Sequence, residues 1–233
     1  MALSIIMPAY NERERIKANL EDYAKTFNTA EILVMIEGQD GTKELVKDLA
    51  KIYKNINYEY SRTRLGKGRA IRYGFTIAKG ELIGFVDSDG SISAQEFKKL
   101  ISLGDADGAI ASRRATGAEI LENRPLSQRV GSLGLNLLSR FMFGLPFKDT
   151  QCGAKIFKKN AIKTIISDLV IMDFAFDINL LYSLKKRGFK IREQGVVWKH
   201  MRGSKFNFSV LYWKIIPQIA LSLLKLRFKS VNY

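Results

Sequence analysis

Residues 81–91 read ELIGFVDSDGS, an apolar run that passes directly into two aspartates one residue apart and a closing glycine. Leu82 to Val86 shows no polar alternation, the pattern of a strand covered on both faces. Such strands belong to mostly parallel sheets sandwiched between helices, and ligands of these open sheets bind beyond the carboxyl ends of the strands. Asp87 and Asp89 therefore stand where a divalent cation and a diphosphate can meet. A plain polar turn after a strand has the same composition, so the surrounding chain has to decide. An EF-hand loop beginning at Asp87 fails, because it needs Gly where Ile92 stands and a bidentate Glu where Lys98 stands.

Outward from that strand, β and α patterns alternate through the first half. Leu3 to Met7, Ile32 to Ile36, Ile56 to Tyr60 and Gly108 to Ala111 join Leu82 to Val86 as predicted strands. Helical patterns lie between them at 14–27, 42–54, 68–78 and 94–102. The fold class is α/β, a Rossmann-like, mostly parallel sheet flanked by helices. The second half is less regular: a basic loop over 112–129, a helix near 130–143, a short strand at 155–157, a helix near 176–186 and a strand at 191–198. A half of that kind is suited to building the pocket of a second substrate.

The chain has 233 residues, 46% of them hydrophobic, and no linker or repeat divides it. One globular domain over 1–207 with a C-terminal appendage over 208–233 accounts for this. Lys and Arg number 38 against 23 acidic residues, a net charge of +15 that favours polyanionic partners: nucleic acid, an anionic membrane surface or a phosphorylated substrate. Nucleic acid is disfavoured, because the cations are scattered and no recognised binding motif accompanies them. A single cysteine, Cys152, rules out an internal disulfide and a thiolate zinc site, which suits a cytosol-facing protein, and it reads as a small core residue. The first apolar run is too short, and lacks the basic leader, for a signal peptide.

Three further motifs close first-half strands. Pro8-Ala9-Tyr10-Asn11-Glu12 breaks the first strand and projects Tyr10 and Glu12 from the sheet edge, where an aromatic face can stack on a base. The same residues also suit a turn with Asn11 capping the next helix. Strand two ends at Glu37-Gly38-Gln39-Asp40-Gly41-Thr42. Strand three leads into Arg62-Thr63-Arg64-Leu65-Gly66-Lys67-Gly68, a flexible basic loop suited to phosphates. It matches neither the dinucleotide fingerprint, since Ile71 replaces the third glycine, nor a Walker loop, since no Ser or Thr follows Lys67. The single histidine, His200, leaves no Ser/His/Asp or Cys/His system to propose.

Together with ASRR (111–114), DTQCGAKIF (149–157), FAFDINLLY (174–182) and VVWKHMRGSK (196–205), these motifs resemble the inverting, metal-dependent GT-A-fold glycosyltransferases. Within them, the chain is most similar to dolichyl-phosphate glucosyltransferases and next to dolichyl-phosphate mannose synthases. The resemblance implies transfer of a hexose from a nucleotide-diphosphate sugar, UDP-glucose ahead of GDP-mannose, to dolichyl or another polyprenyl phosphate. It further implies a Mg²⁺ or Mn²⁺ cofactor and peripheral attachment to the cytoplasmic face of a membrane. Carried over by position, Pro8, Tyr10, Glu12 and Glu37 would hold the donor base and ribose. Asp87 and Asp89 would face the diphosphate and its metal, with Asp89 the direct ligand and Lys67 adding positive charge. Arg113 and Arg129 would grip the lipid phosphate, and Ser204 and Lys205 would close over it. The chain departs from the family at Ile36-Glu37, where an Asp-Asp pair is usual, at Asn179, where Glu is frequent, and in lacking membrane-spanning anchors.

The segment 208–229 places Lys214, Gln218, Ser222, Lys225 and Lys229 at helical spacing, a narrow polar stripe on an apolar cylinder. Only ten residues separate Lys214 from Lys225, short of the about 20 that cross a bilayer. An amphipathic helix lying on a membrane surface is one reading. A helix packed on the core or in a homodimer is the other.

Overall fold

A computed structural model describes residues 2–122, 133–134, 136–137, 140–172 and 175–201. Strands β1 (Leu3–Tyr10), β2 (Glu31–Glu37), β3 (Ile56–Ser61), β4 (Leu82–Val86) and β5 (Gly108–Ser112) alternate with helices α1 (Ile16–Thr26), α2 (Thr42–Ile52), α3 (Lys67–Ile77) and α4 (Ala94–Ile101). There follow β6 (Glu119–Ile120), β7 (Ala154–Lys158), α5 (Lys159–Ile165), α6 (Phe176–Lys186), β8 (Ile191–Gly195) and β9 (Val197–Trp198). Seven strands form one sheet in the order β3-β2-β1-β4-β7-β5-β8, parallel throughout except at β7. The Rossmann-like, mostly parallel sheet expected from the sequence is the one observed.

The apolar run of β4 is explained by what covers it. Leu82 and Val86 pack with Ile16, Leu20 and Tyr23 of α1, Val46 and Leu49 of α2, and Phe97 and Leu100 of α4. Ile83 and Phe85 point the other way, onto Ile71 and Phe75 of α3, Ile162 and Ile165 of α5, and Ile178 and Leu181 of α6. A period of two thus distributes one strand between two cores. Each large side chain so buried stabilises the fold by about 1.5–3 kcal/mol relative to exposure.

The antiparallel β7 matters most for the site. Its residue Ala154 pairs with Val86, so the segment entering β7 lies at the edge where β4 leaves, and the amide of Asp87 donates to the Gly153 carbonyl at 2.9 Å. A β-carbon on Gly153 would overlap the Asp87 carboxylate, so only glycine lets the two segments approach.

Several boundaries differ from those expected. Helix α1 begins at Ile16 rather than at residue 14, because residues 12–15 form a turn closed by the Arg15 amide on the Glu12 carbonyl. Asn11, at φ +52°, does not cap that helix; its Oδ1 accepts from the Gln39 amide and joins the ends of β1 and β2. The strand expected over 191–198 divides at Val196. Beyond Ser112 the hydroxyl of that residue caps a turn, accepting from the amides of Arg114 and Ala115, so β5 offers no further partner and β9 pairs with β6 instead. Helix α5 had no counterpart in the expected pattern. Of the helix expected near 130–143, the described residues 133–134, 136–137 and 140–143 are helical.

Candidate functional site

The carboxyl ends of β1, β2 and β4, the loop before α3 and the entry to β7 surround a cleft of about 350 Å³. Pro8, Tyr10, Glu12, Glu37, Lys67, Asp87 and Asp89 all line it. The cleft also takes in Arg15, Arg64, Gln151 and Asp177. A hollow of about 460 Å³ between β3 and α3 shares the Glu37 wall but contains none of the aspartates.

At its floor is a chain of alternating charges. Lys67 Nζ lies 2.7 Å from Asp87 Oδ1 and 3.8 Å from Asp177 Oδ2, and Lys155 Nζ lies 2.6 Å from Asp177 Oδ1. Lys155 is fully buried, donates also to the Cys152 carbonyl at 2.8 Å, and stands 5.3 Å from the centre of the Phe85 ring. Burial pushes the Asp87 carboxyl above its ordinary value, and Asp89 and Asp177 add to that push against the pull of Lys67. Burial works against the charged amine of Lys67, yet Asp87 and Asp177 outweigh it and hold the amine above its ordinary value. Burial also opposes the charged form of Asp177, and there Lys155 and Lys67 prevail and hold the carboxyl below the usual range. Asp89 also lines the cleft, its Oδ1 accepting from the Ser91 amide at 2.9 Å.

On the opposite side, Arg64 lies 4.5 Å above the Tyr10 ring, and Glu12 holds Arg15 through two hydrogen bonds at 2.6 and 2.9 Å. Glu37, expected to help hold the base, lines the cleft and also fixes a loop. Its Oε2 accepts from the amides of Leu65 and Gly66, fixing the loop before α3, while Oε1 is buried without a partner among the described residues. Gly66 makes that loop possible, at φ +99°.

Arg113 lies outside the cleft. Its fork grips Asp149 at 2.6 and 2.8 Å, with 8% of its side chain and 1% of its partner's exposed. Burial opposes both charges, and the pairing holds Asp149 below the usual carboxylate range. The fork expected to grip a lipid phosphate thus holds the Asp149 carboxylate in this structure. Asp149 is held in turn by Glu193, which accepts from the amides of Lys148 and Asp149. Arg129, Ser204, Lys205 and the segment 208–229 lie outside the described residues. Cys152 is buried, and burial, with Asp149 adding, pushes its thiol up to about 12, as befits a core residue.

Arg15, Lys155 and Gln151 of the site escaped the sequence reading. Lys155, inside the apolar run of β7, carried a usable signal, since a lysine in a covered strand demands a buried counter-charge. Gln151, whose Nε2 is buried without an acceptor among the described residues, carried none. Asn179 ties down the chain before α6, accepting from the Val170 and Ile171 amides and donating to the Asp168 carbonyl, which explains a short amide at that position.

The family model described as Glycosyl transferase family 2 matches residues 4–166. A dolichyl-phosphate beta-glucosyltransferase of Trichomonas vaginalis is 31% identical over 89% of this chain and 68% of its own. The Homo sapiens dolichyl-phosphate beta-glucosyltransferase is 28% identical over 99% of this chain and 76% of its own. Among solved structures, glucosyl-3-phosphoglycerate synthase from Mycobacterium tuberculosis in complex with UDP superposes with a TM-score of 0.68 at 16% identity, over 97% of this chain and 80% of that one. A Pyrobaculum calidifontis mannosyltransferase in complex with GDP-Man and Mn²⁺ gives 0.62 at 15% identity, over 98% and 63%. At these identities the two structures establish the fold.

Proposed function

The chain belongs to glycosyl transferase family 2, and on that premise we propose that it transfers glucose from UDP-glucose to dolichyl or another polyprenyl phosphate, with inversion at the anomeric carbon. The relatives named above support the acceptor and the sugar. The observation that carries the reading is the cleft itself, which sets Asp87, Asp89 and Lys67 across from Tyr10, Glu12 and Arg64 at the carboxyl ends of β1 and β4.

The donor set suits a hard divalent cation such as Mg²⁺ or Mn²⁺. Asp87 and Asp89 provide carboxylate oxygens; burial first, with Asp89 and Asp177 adding, raises the Asp87 carboxyl, and a cation would offset both. No group of three or more His, Cys, Asp or Glu side chains forms a cation site among the described residues. That agrees with Mg²⁺ sites built from one or two carboxylates and completed by substrate phosphates and water. Asp89 would be the direct ligand, and a cation bound there supplies Lewis-acid relief of the charge gathering on the leaving diphosphate. Lys67 adds a fixed positive charge at the same place, and its tethers to Asp87 and Asp177 keep it there before donor arrives. The planar Tyr10 offers the base a stacking face once Arg64 moves aside. The acceptor phosphate, with a second pKa of about 6, is already anionic at neutral pH. Its oxygen attacks the anomeric carbon opposite the departing diphosphate, and no side chain need remove a proton.

Acid separates binding from folding. Burial raises the folded Asp87 carboxyl above its ordinary value, so it takes up its proton before Asp149 and Asp177 do as pH falls, and the charge facing the donor's cation is lost. Asp149 and Asp177 sit below their ordinary values, so the stability they confer is present above the normal carboxylate range and is lost only at lower pH. Metal-dependent nucleotide binding is thus expected to fail at a higher pH than the circular-dichroism signal of the fold; coincident transitions would contradict this ordering.

Melting shifts test the donor. A ligand at about 100 times its dissociation constant stabilises the native state by roughly 2.7 kcal/mol. At equal concentration with Mn²⁺ present, UDP is expected to raise Tm more than GDP does. A larger shift with GDP transfers the reading to GDP-mannose.

A further inference from the structure

We propose that Arg15 is a binding residue for the donor diphosphate, its guanidinium aimed at the phosphate oxygens by Glu12. The proposal rests on the reading that a nucleotide-diphosphate sugar fills the cleft, and adds to that reading one more cation. Arg15 closes the turn before α1, where its amide donates to the Glu12 carbonyl at 3.0 Å. Its side chain lines the cleft together with Asp87, Ser88 and Asp89. Helix α1 explains that placement. Asn19, one turn further along the same face, donates to the Asp87 carbonyl at 3.3 Å. The face that carries Arg15 is thereby docked against the loop that carries both aspartates.

The bonding of the guanidinium decides what it can take. An arginine carries five N–H donors in a planar fork. Glu12 accepts from Nε at 2.9 Å and from Nη2 at 2.6 Å, which occupies one edge of that fork. The outer edge, Nη1 with the second proton of Nη2, meets no acceptor among the described residues. That edge matches two oxygens of a phosphate. The other cations lining the cleft have different partners: Lys67 lies against Asp87 and Asp177, and Arg64 lies over the Tyr10 ring. The Arg15 fork is also set before donor arrives. With 19% of its side chain and 11% of that of Glu12 exposed, the pair is largely shielded from water, so little freedom is lost when a ligand meets it. Two parallel charged donors favour an oxyanion over a hydroxyl, and beside Asp87 and Asp89 that oxyanion is the donor diphosphate.

The test titrates the full chain with uridine and UDP, and with guanosine and GDP, in the presence of Mn²⁺. The ratio of diphosphate affinity to nucleoside affinity isolates what the phosphates contribute. Arg15→Gln is expected to lower that ratio by roughly 10- to 100-fold, since hydrogen bonds to charged groups are individually strong, while nucleoside affinity stays at the parent's value. Arg15→Lys keeps a charge for Glu12 but presents no second edge. It is expected to lower the ratio as well, and it answers the question should the glutamine variant fail to fold. An unchanged ratio in a folded variant overturns the proposal. Equal loss of nucleoside and diphosphate affinity overturns it too, because Arg15 then only shapes the turn that carries Tyr10. Weaker use of polyprenyl phosphate with an unaltered ratio also overturns it, because the fork then serves the acceptor. A parent that prefers neither diphosphate to its nucleoside ends the nucleotide-sugar reading and the proposal with it, whereas a parent preference that survives both substitutions sinks only the role of Arg15.

Discussion

Asp89→Asn is expected to lower sugar transfer by about 10²–10³-fold, the usual cost of removing one preorganised electrostatic group from a transition state. The substitution keeps Oδ1, so the hydrogen bond from the Ser91 amide that shapes the loop can persist. What disappears is one negative charge lining the cleft. Initial rates with saturating Mn²⁺, alongside an unchanged melting temperature, check this. Turnover within about tenfold of the parent would show that the leaving diphosphate is not stabilised from Asp89.

Lys155→Met is expected to show the opposite profile, a structural loss that carries activity with it. The ammonium is fully buried between the Cys152 carbonyl and Asp177. Deleting one partner of a buried pair costs about 3–5 kcal/mol, and here Asp177 would keep only Lys67, 3.8 Å away, as a counter-charge among the described residues. In a chain of this size each kcal/mol shifts Tm by about 2–4 °C. A double variant, Lys155→Met with Asp177→Leu, separates the two roles. Replacing a buried ion pair by apolar groups of similar volume is often close to neutral, so Tm is expected to recover much of its loss. Transfer is expected to stay low, because Lys67 has lost one of the two carboxylates that fix it. Recovery of transfer together with Tm would reduce Asp177 to a packing role.

The sheet and the cleft were legible for one reason: β4 is an unbroken apolar run ending in two charged residues, and both properties follow from where that strand sits. The other expected lining residues could be read because they stand at or just past the carboxyl ends of strands, although β1 runs on through Pro8 to Tyr10, where the expected strand stopped at Met7. Position at a sheet edge says which side chains meet, but not which partners they choose. Glu37 turns one oxygen to the loop before α3, and Arg113 turns its fork to Asp149, thirty-six residues later in the chain. Both choices depend on tertiary neighbours that no local pattern encodes. The division of β8 from β9 was hidden for a similar reason, since residues 191–198 form a continuous strand pattern and only the end of β5 at Ser112 forces the break.

The central claim is the transfer of glucose to a membrane lipid phosphate, and incubation with radiolabelled UDP-glucose, polyprenyl phosphate and Mn²⁺ tests it most directly. Label is expected in the solvent-extractable lipid, released by mild acid as glucose, and dependent on both the divalent cation and the lipid's phosphate. Label entering lipid from GDP-mannose but not from UDP-glucose, or none entering from either while nucleotide still binds, would contradict the account.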